Sequence, residues 1–355
     1  MANIPAVSVV IPMYNAEKYI GECLDCFLMQ TFQDFEVIVV NDCSTDNGRR
    51  VVESYLEKFG GRLKIYDNVK NSRAAATRNR GLLLSTGEYV YFMDADDLLM
   101  LDGLEKMYTL AKKYDADVVG LPGFYKISAD GTTLLTISNK SKNIFEGRKG
   151  EFFVDDDLTW RLQKNLGHRF YSGPVLRLLR RDFLIGNGIF FPENVSSCED
   201  VVWKHAFLLL AKRIVHTSYM IYFYRMSEDS LTRTKRGGTQ YINYRMNTVF
   251  YGMKWLDDIM AKSEFFRKNL QYRYKVLGEF AVDIFNRLLG TAEKRNWTPL
   301  TVYKLIREEF GDKFGEYGVL VSVLCALLND YQKIVKDDEL HIVELEKNLK
   351  KRKKS

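Results

Sequence analysis

The chain has little charge of one sign, few cysteines and no apolar run of membrane length, and each shortage removes a class of function. Net charge is +6 over 355 residues, much of it in the final cluster Lys350-Lys351-Arg352-Lys353-Lys354. The body is close to neutral, which argues against a dedicated nucleic-acid binder, since such proteins need a strong basic face. Five cysteines, an odd number without regular spacing, describe no disulfide framework and suit a reducing compartment. Cys23 and Cys26 form a C-x-x-C pair without the companion cysteines or histidines of a zinc site, so they read as helix-packing residues. His168 and His205 likewise have no partners at metal spacing. The longest apolar run, residues 317–328, is too short for a helix spanning a bilayer core of roughly 30 Å. No basic start followed by a long apolar stretch opens the chain, so no signal peptide is expected. The expected location is cytoplasmic, with peripheral attachment to the inner face of the cell membrane left open. There is also no G-x-G-x-x-G after the first strand, which counts against a dinucleotide cofactor.

What the chain does have is an α/β pattern. Hydrophobic residues make up 46% of it, enough for a core, and its length suits two units. Val7-Ser8-Val9-Val10-Ile11-Pro12 is a β-branched run closed by proline, a strand and then a turn. Asn15 stands where a helix cap belongs, ahead of a stripe of Ile20, Leu24, Phe27 and Leu28. Residues 35–40, 63–66 and 89–92 read as further strands, with helices between them around Val51 to Leu56 and over 74–84. This alternation, with strands apolar on both faces, implies a largely parallel sheet with ligands at the carboxyl ends of its strands. Pro12-Met13-Tyr14-Asn15, Asn41-Asp42 and Asp94-Ala95-Asp96 fall at those ends. In extended backbone Asp94 and Asp96 share a side, where both can face one hard divalent cation bridging to substrate phosphate. Arg73, Arg78 and Arg80 lie just before or within the helix preceding the acidic strand, placed to offset its charge or hold a phosphate. A bare Asp-x-Asp is more often a solvated acidic turn, here with Asp102 capping the next helix.

Four ordered stretches lift the motif above that level. They are Val7 through Asn15, Val39-Val40-Asn41-Asp42-Cys43-Ser44-Thr45-Asp46, Asn71-Ser72-Arg73-Ala74-Ala75-Ala76-Thr77-Arg78-Asn79-Arg80-Gly81, and Tyr91-Phe92-Met93-Asp94-Ala95-Asp96-Asp97. Together they resemble the family 2 glycosyltransferases of the GT-A fold, enzymes that use nucleotide sugars. The resemblance implies that Pro12, Tyr14, Asn15 and Asp42 cradle the base and ribose, and that Arg73, Arg78, Asp94 and Ala95 complete the nucleotide site. It implies that Asp96 binds a divalent cation, Mn2+ or Mg2+, on the diphosphate. Asn41 replaces a common Asp, and Ser72-Arg73 stands near a frequent glycine. The stretch Phe190-Phe191-Pro192-Glu193 through Glu199-Asp200-Val201-Val202-Trp203 resembles the family's F-P-E…E-D-x-x-W, which makes Asp200 the catalytic base and Glu199 a supporting acid. Tyr222 through Thr232 resembles the close of the catalytic domain, with Arg225 and Ser230 reaching the diphosphate. The implied activity is inverting transfer from a nucleotide sugar, a UDP-sugar by preference, to a glycan or lipid-linked saccharide of the cell surface. One rival, a sugar-phosphate nucleotidyltransferase, calls for a Gly-rich, Lys-bearing loop that Pro12-Met13-Tyr14-Asn15-Ala16 is not. The other, a non-catalytic glycan- or nucleotide-binding subunit, predicts damage at Asp94, Asp96 or Asp200, and all three are intact.

Beyond Gly120 the pattern loosens. Residues 127–136 suggest a hairpin turning at Asp130-Gly131, and Asp155-Asp156-Asp157 a solvated cap before a helix with Trp160 and Leu162. Arg233, Lys235 and Arg236 beside Gly237-Gly238 fit a mobile loop over the donor or a plain basic linker. From about Thr239 apolar stripes at helical spacing take over. The expected division is a GT-A domain over 1–236 and a helical domain with a basic tail over 237–355. Membrane docking through the tail and homo-oligomer formation are both open uses for the second.

Overall fold

The computed structural model describes residues 4–140, 144–166, 170–195, 198–227 and 238–294. Ser230, His168, the loop with Arg233, Lys235 and Arg236, and the lysine-rich end lie outside the described residues.

The first half follows the sequence pattern. β1 (Val7–Met13), α1 (Ile20–Leu28), β2 (Phe35–Asn41), α2 (Gly48–Ser54), β3 (Leu63–Asp67), α3 (Arg73–Leu84) and β4 (Tyr89–Phe92) alternate along the chain. β1 pairs in parallel with β2 and β4, and β2 with β3. Alternate residues feed two cores: Val7, Val9, Ile11, Tyr89 and Tyr91 one side, Val10, Val90 and Phe92 the other. Burial on both faces explains the near-continuous apolar strands. Gly81 lets α3 press close, since a Cβ there would lie 2.2 Å from Val10 Cγ1. That contact brings Arg78 and Asn79, on the same helix, over the strand ends.

The second half is more mixed than the sequence suggested. Next come β5 (Leu98–Leu99), α4 (Gly103–Lys113), β6 (Val118–Gly120), β7 (Gly123–Ile127), β8 (Leu134–Asn139), β9 (Phe152–Asp155) and α5 (Leu158–Leu166). They are followed by β10 (Arg177–Arg180), α6 (Arg181–Gly186), α7 (Glu199–Leu210), β11 (Ile214–Thr217) and β12 (Tyr222–Arg225). The large sheet runs β3-β2-β1-β4-β10-β6-β11-β9, with β10 antiparallel to both neighbours. Leu178 and Leu179 of β10 fill the two cores just as a parallel strand would, so hydrophobic pattern is blind to its direction. A small sheet, β5-β12-β7-β8, contains the expected hairpin, with Gly131 at φ +75° in its turn. α7 is buried along most of its length, and Trp203 stacks on Phe191 at 4.2 Å while donating to the Ile189 carbonyl at 3.3 Å. This anchorage places the N-terminal acids of α7.

Three local expectations change. Asn15 does not cap α1, which starts at Ile20; at φ +50° its Oδ1 instead accepts from Thr45 N at 2.8 Å. Asp94 to Asp97 form a turn, Asp97 N donating to Asp94 O at 3.2 Å, so the acids are not presented by extended backbone. Asp157 does cap α5, accepting from Thr159 N at 2.8 Å, but Asp155 is buried against His216 at 3.2 Å and Arg161 at 3.4 Å rather than solvated.

The chain divides into two compact units, one of Met1–Thr234 with Phe250–Phe280, the other of Lys235–Val249 with Ala281–Ser355. The sequence boundary at 236 therefore differs from this grouping. Within the first unit Ile259 joins the Val10 core and Phe280 meets the His205 ring at 5.6 Å.

Candidate active site

The parallel strands deliver their polar ends together. Met13 and Asn41 are register partners, and Asp42 N donates to Met13 O at 2.8 Å. The buried Asp42 carboxylate caps α3 from outside: Oδ1 accepts from Ser72 N and from Asn68 Nδ2, both at 2.7 Å, and Oδ2 from Arg73 N at 2.8 Å. A helix start offers unpaired N–H groups and positive potential, which a carboxylate satisfies. With about four acceptor positions on a carboxylate, one remains for a ligand. Pro12 is partly exposed and Tyr14 is 51% exposed beside this cap.

Arg73 begins α3 at φ +67°, a conformation that costs a side-chain-bearing residue about 1–2 kcal/mol. Glycine adopts such a backbone without that steric cost. Arg73→Gly should raise the melting temperature by a few degrees, as strain relief outweighs glycine's backbone entropy of roughly 0.5–1 kcal/mol. Thermal unfolding with and without UDP checks this, and weaker UDP stabilisation in the variant would place the Arg73 guanidinium on the nucleotide.

Arg78 is the centre of the site. Its Nη2 donates to Asp94 Oδ1 at 2.8 Å, Nη1 lies 3.7 Å from Glu199 Oε1, and its buried Nε has no partner among the described residues. Ala95 is buried in the acidic turn, and Asp96 Oδ2 accepts from Ser227 Oγ at 3.2 Å. Asp97 is fully buried, accepting from Tyr222 OH and from Arg225 N. Burial, then the Asp94 charge, pushes the Asp96 carboxyl up; burial, then Asp96 and Asp94, does the same to Asp97. Burial and Asp200 raise Glu199, against the pull of Arg78. Among the described residues the crevice carries more carboxylates than guanidinium groups.

Arg225 does not supply positive charge freely. Its guanidinium is buried and donates to Asp96 O at 2.8 Å, Ala129 O at 2.9 Å and Glu22 Oε2 at 2.6 Å, with the Tyr19 ring 5.0 Å away. Its donors hold the acidic turn in shape. Asp200 accepts from Ser172 Oγ at 2.6 Å. Ser172, Ser227 and Glu22 escaped the sequence reasoning; Asp97 was visible in the motif, but its burial was not.

No group of three or more His, Cys, Asp or Glu stands at metal-holding distance among the described residues. Asp94 and Asp96, partly buried and mutually repelling, nonetheless suit a hard cation that takes its other oxygens from substrate phosphate, the habit of Mg2+ sites. The donor set fits the implied metal.

The Glycosyl transferase family 2 model matches residues 8–170, spanning all the strand-end motifs above. Over this segment, a little under half of its length, the chain is similar to glycosyl transferase family 2. The chain is 27% identical over 341 residues to the uncharacterized glycosyltransferase YibD of Escherichia coli, covering 94% of the chain and 92% of the relative. It is 28% identical over 298 residues to the poly(ribitol-phosphate) beta-N-acetylglucosaminyltransferase TarP of Staphylococcus aureus, covering 82% and 81%. Solved structures of S. aureus TarS share the fold: the complex with UDP-GlcNAc at TM-score 0.61 and 23% identity, covering 85% and 80%. The complex with UDP aligns at 0.54 and 25%, covering 73% of this chain and 66% of that one. The chain spans 36% of full-length TarS. Its architecture is the GT-A fold.

Proposed function

We propose that this crevice transfers a sugar from a UDP-sugar to a hydroxyl of a glycan or lipid-linked saccharide, inverting the anomeric centre, during synthesis of a cell-surface polysaccharide. One observation carries it: Arg78 bridges Asp94, at the end of the nucleotide-motif strand, to Glu199 at the head of α7. A single guanidinium thus couples the donor side to the acid pair. Asp200 removes the acceptor's proton as the new bond forms, a role for a positioned carboxylate. Glu199, tied to Arg78, orients the pair. Asp42, Pro12, Tyr14 and Asn15 take the base and ribose, with Asp42 accepting from the uracil imide and Tyr14 flanking the ring. Arg78 and the Asp94-Ala95 backbone take the nucleotide further along. Asp96, beside Asp94, would hold a divalent cation, which would offset the charge of the departing diphosphate. Arg225 is assigned to positioning Asp96 rather than to the diphosphate.

Two observations on relatives support the donor class: TarS has been solved with UDP and with UDP-GlcNAc. TarP's name places N-acetylglucosamine on poly(ribitol-phosphate). No helix among the described residues is long and apolar enough to cross a membrane. For a lipid-linked acceptor, the lysine cluster of residues 350–354, at about 1 kcal/mol per cation near an anionic surface, is the candidate membrane contact.

Calorimetric titration with UDP, GDP and CDP, each with and without manganese, tests the proposal. Manganese-dependent binding of UDP alone is expected. Failure of all three to bind would favour the binding-subunit alternative.

A further inference from the structure

We propose that Ser172 is a positioning residue for Asp200 and that buried Arg177 anchors Ser172 in place; this rests on Asp200 being the base. Ser172 Oγ donates to Asp200 Oδ2 at 2.6 Å, a short hydrogen bond of the kind made to charged acceptors. The bond fixes the carboxylate's rotation and leaves Oδ1 for the acceptor hydroxyl. An unrestrained Asp would sample orientations in which neither oxygen is aligned with the proton it must take.

The link bearing Ser172 is held from several sides. Arg177, 3% exposed, donates from Nη2 to Tyr171 O at 3.0 Å and from Nη1 to Leu176 O at 2.6 Å and Leu121 O at 3.3 Å. Tyr171 OH shares a hydrogen bond with Ser138 Oγ at 2.6 Å, and Tyr91 OH donates to Val175 O at 2.8 Å. These Arg177 hydrogen bonds all end on backbone carbonyls, and burial lowers its guanidinium to about 10. Keeping a cation buried on carbonyls is costly compared with an apolar side chain of similar size. What the cation secures is the carbonyl of Tyr171, directly before Ser172, so the cost falls where alignment of the base is decided.

The test measures UDP release, with water as acceptor, from UDP-N-acetylglucosamine, UDP-glucose and UDP-galactose in the presence of manganese. Ser172→Ala should lower kcat about ten- to a hundredfold, the worth of a hydrogen bond to a charged group, with KM and UDP affinity within about twofold. Ser172→Thr, which keeps the hydroxyl, should restore most of the loss. Arg177→Lys should also lower kcat at unchanged KM, because an ammonium cannot span the three carbonyls. An unchanged kcat in Ser172→Ala beside an inactive Asp200→Asn would overturn the positioning role alone. Joint loss of kcat and UDP affinity that Thr does not rescue would also overturn it, leaving a structural serine. Wild-type turnover in Asp200→Asn would instead remove the base assignment beneath it.

Discussion

Asp200→Asn is expected to lower turnover of the UDP-sugar about a hundred- to ten-thousandfold, the usual worth of a general base, while UDP affinity stays within about threefold. The amide is nearly isosteric, and Ser172 can still donate to its carbonyl oxygen, so the start of α7 should keep its shape. What disappears is the ability to accept a proton. Glu199 is the nearest substitute, but it lies 3.7 Å from Arg78, which already serves Asp94 at 2.8 Å. Withdrawing Glu199 for proton transfer would disturb the nucleotide side of the site. The prediction therefore separates the acids: Glu199→Gln should weaken UDP binding as well as turnover, whereas Asp200→Asn should affect turnover alone. Single-turnover kinetics beside calorimetry distinguish the two. Loss of UDP affinity in Asp200→Asn would make Asp200 a structural cap of α7.

The parallel half of the fold was legible in the sequence because burial on both faces forces unbroken apolar runs, and Val7 to Pro12 and Phe35 to Val40 are such runs. The direction of β10 was not, since Leu178 and Leu179 present the same faces either way. The acids of the site were legible as motifs, yet their partners were not. Asp42 is read from sequence as a ligand residue, but in the structure it first caps a helix thirty residues downstream. Arg225 stands within the resembled pattern, which points to the diphosphate, but its partners Glu22 and Ala129 come from α1 and the β7–β8 turn. Ser172 has no local signature at all, because its meaning depends on α7 arriving beside it. Patterns along the chain identify which side chains carry chemistry; the contacts that aim them are made by segments distant in sequence.

Asp96→Asn should abolish the manganese dependence of UDP binding and lower turnover about a hundred- to a thousandfold, the scale of losing a major electrostatic stabiliser of the leaving group. The fold should gain by the same change. In the folded protein the Asp96 carboxyl is pushed up by burial and by Asp94, and Asp96 in turn bears on buried Asp97. A carboxyl raised on folding opposes stability once the pH exceeds its unfolded value, and increasingly so toward neutrality. A neutral amide removes that opposition while still able to meet the Ser227 hydroxyl, and the Arg225 bond to the Asp96 carbonyl is untouched. At pH 7 without metal the variant should melt higher than wild type. Manganese with UDP should then raise the wild-type melting temperature and leave the variant's nearly unmoved. A variant that melts lower, or that keeps the full manganese response, would show that the repulsion among these acids is not what a cation relieves. An inactive but more stable Asp96→Asn would mean that the acidic turn is kept at a cost to folding because its charge awaits a cation on the substrate.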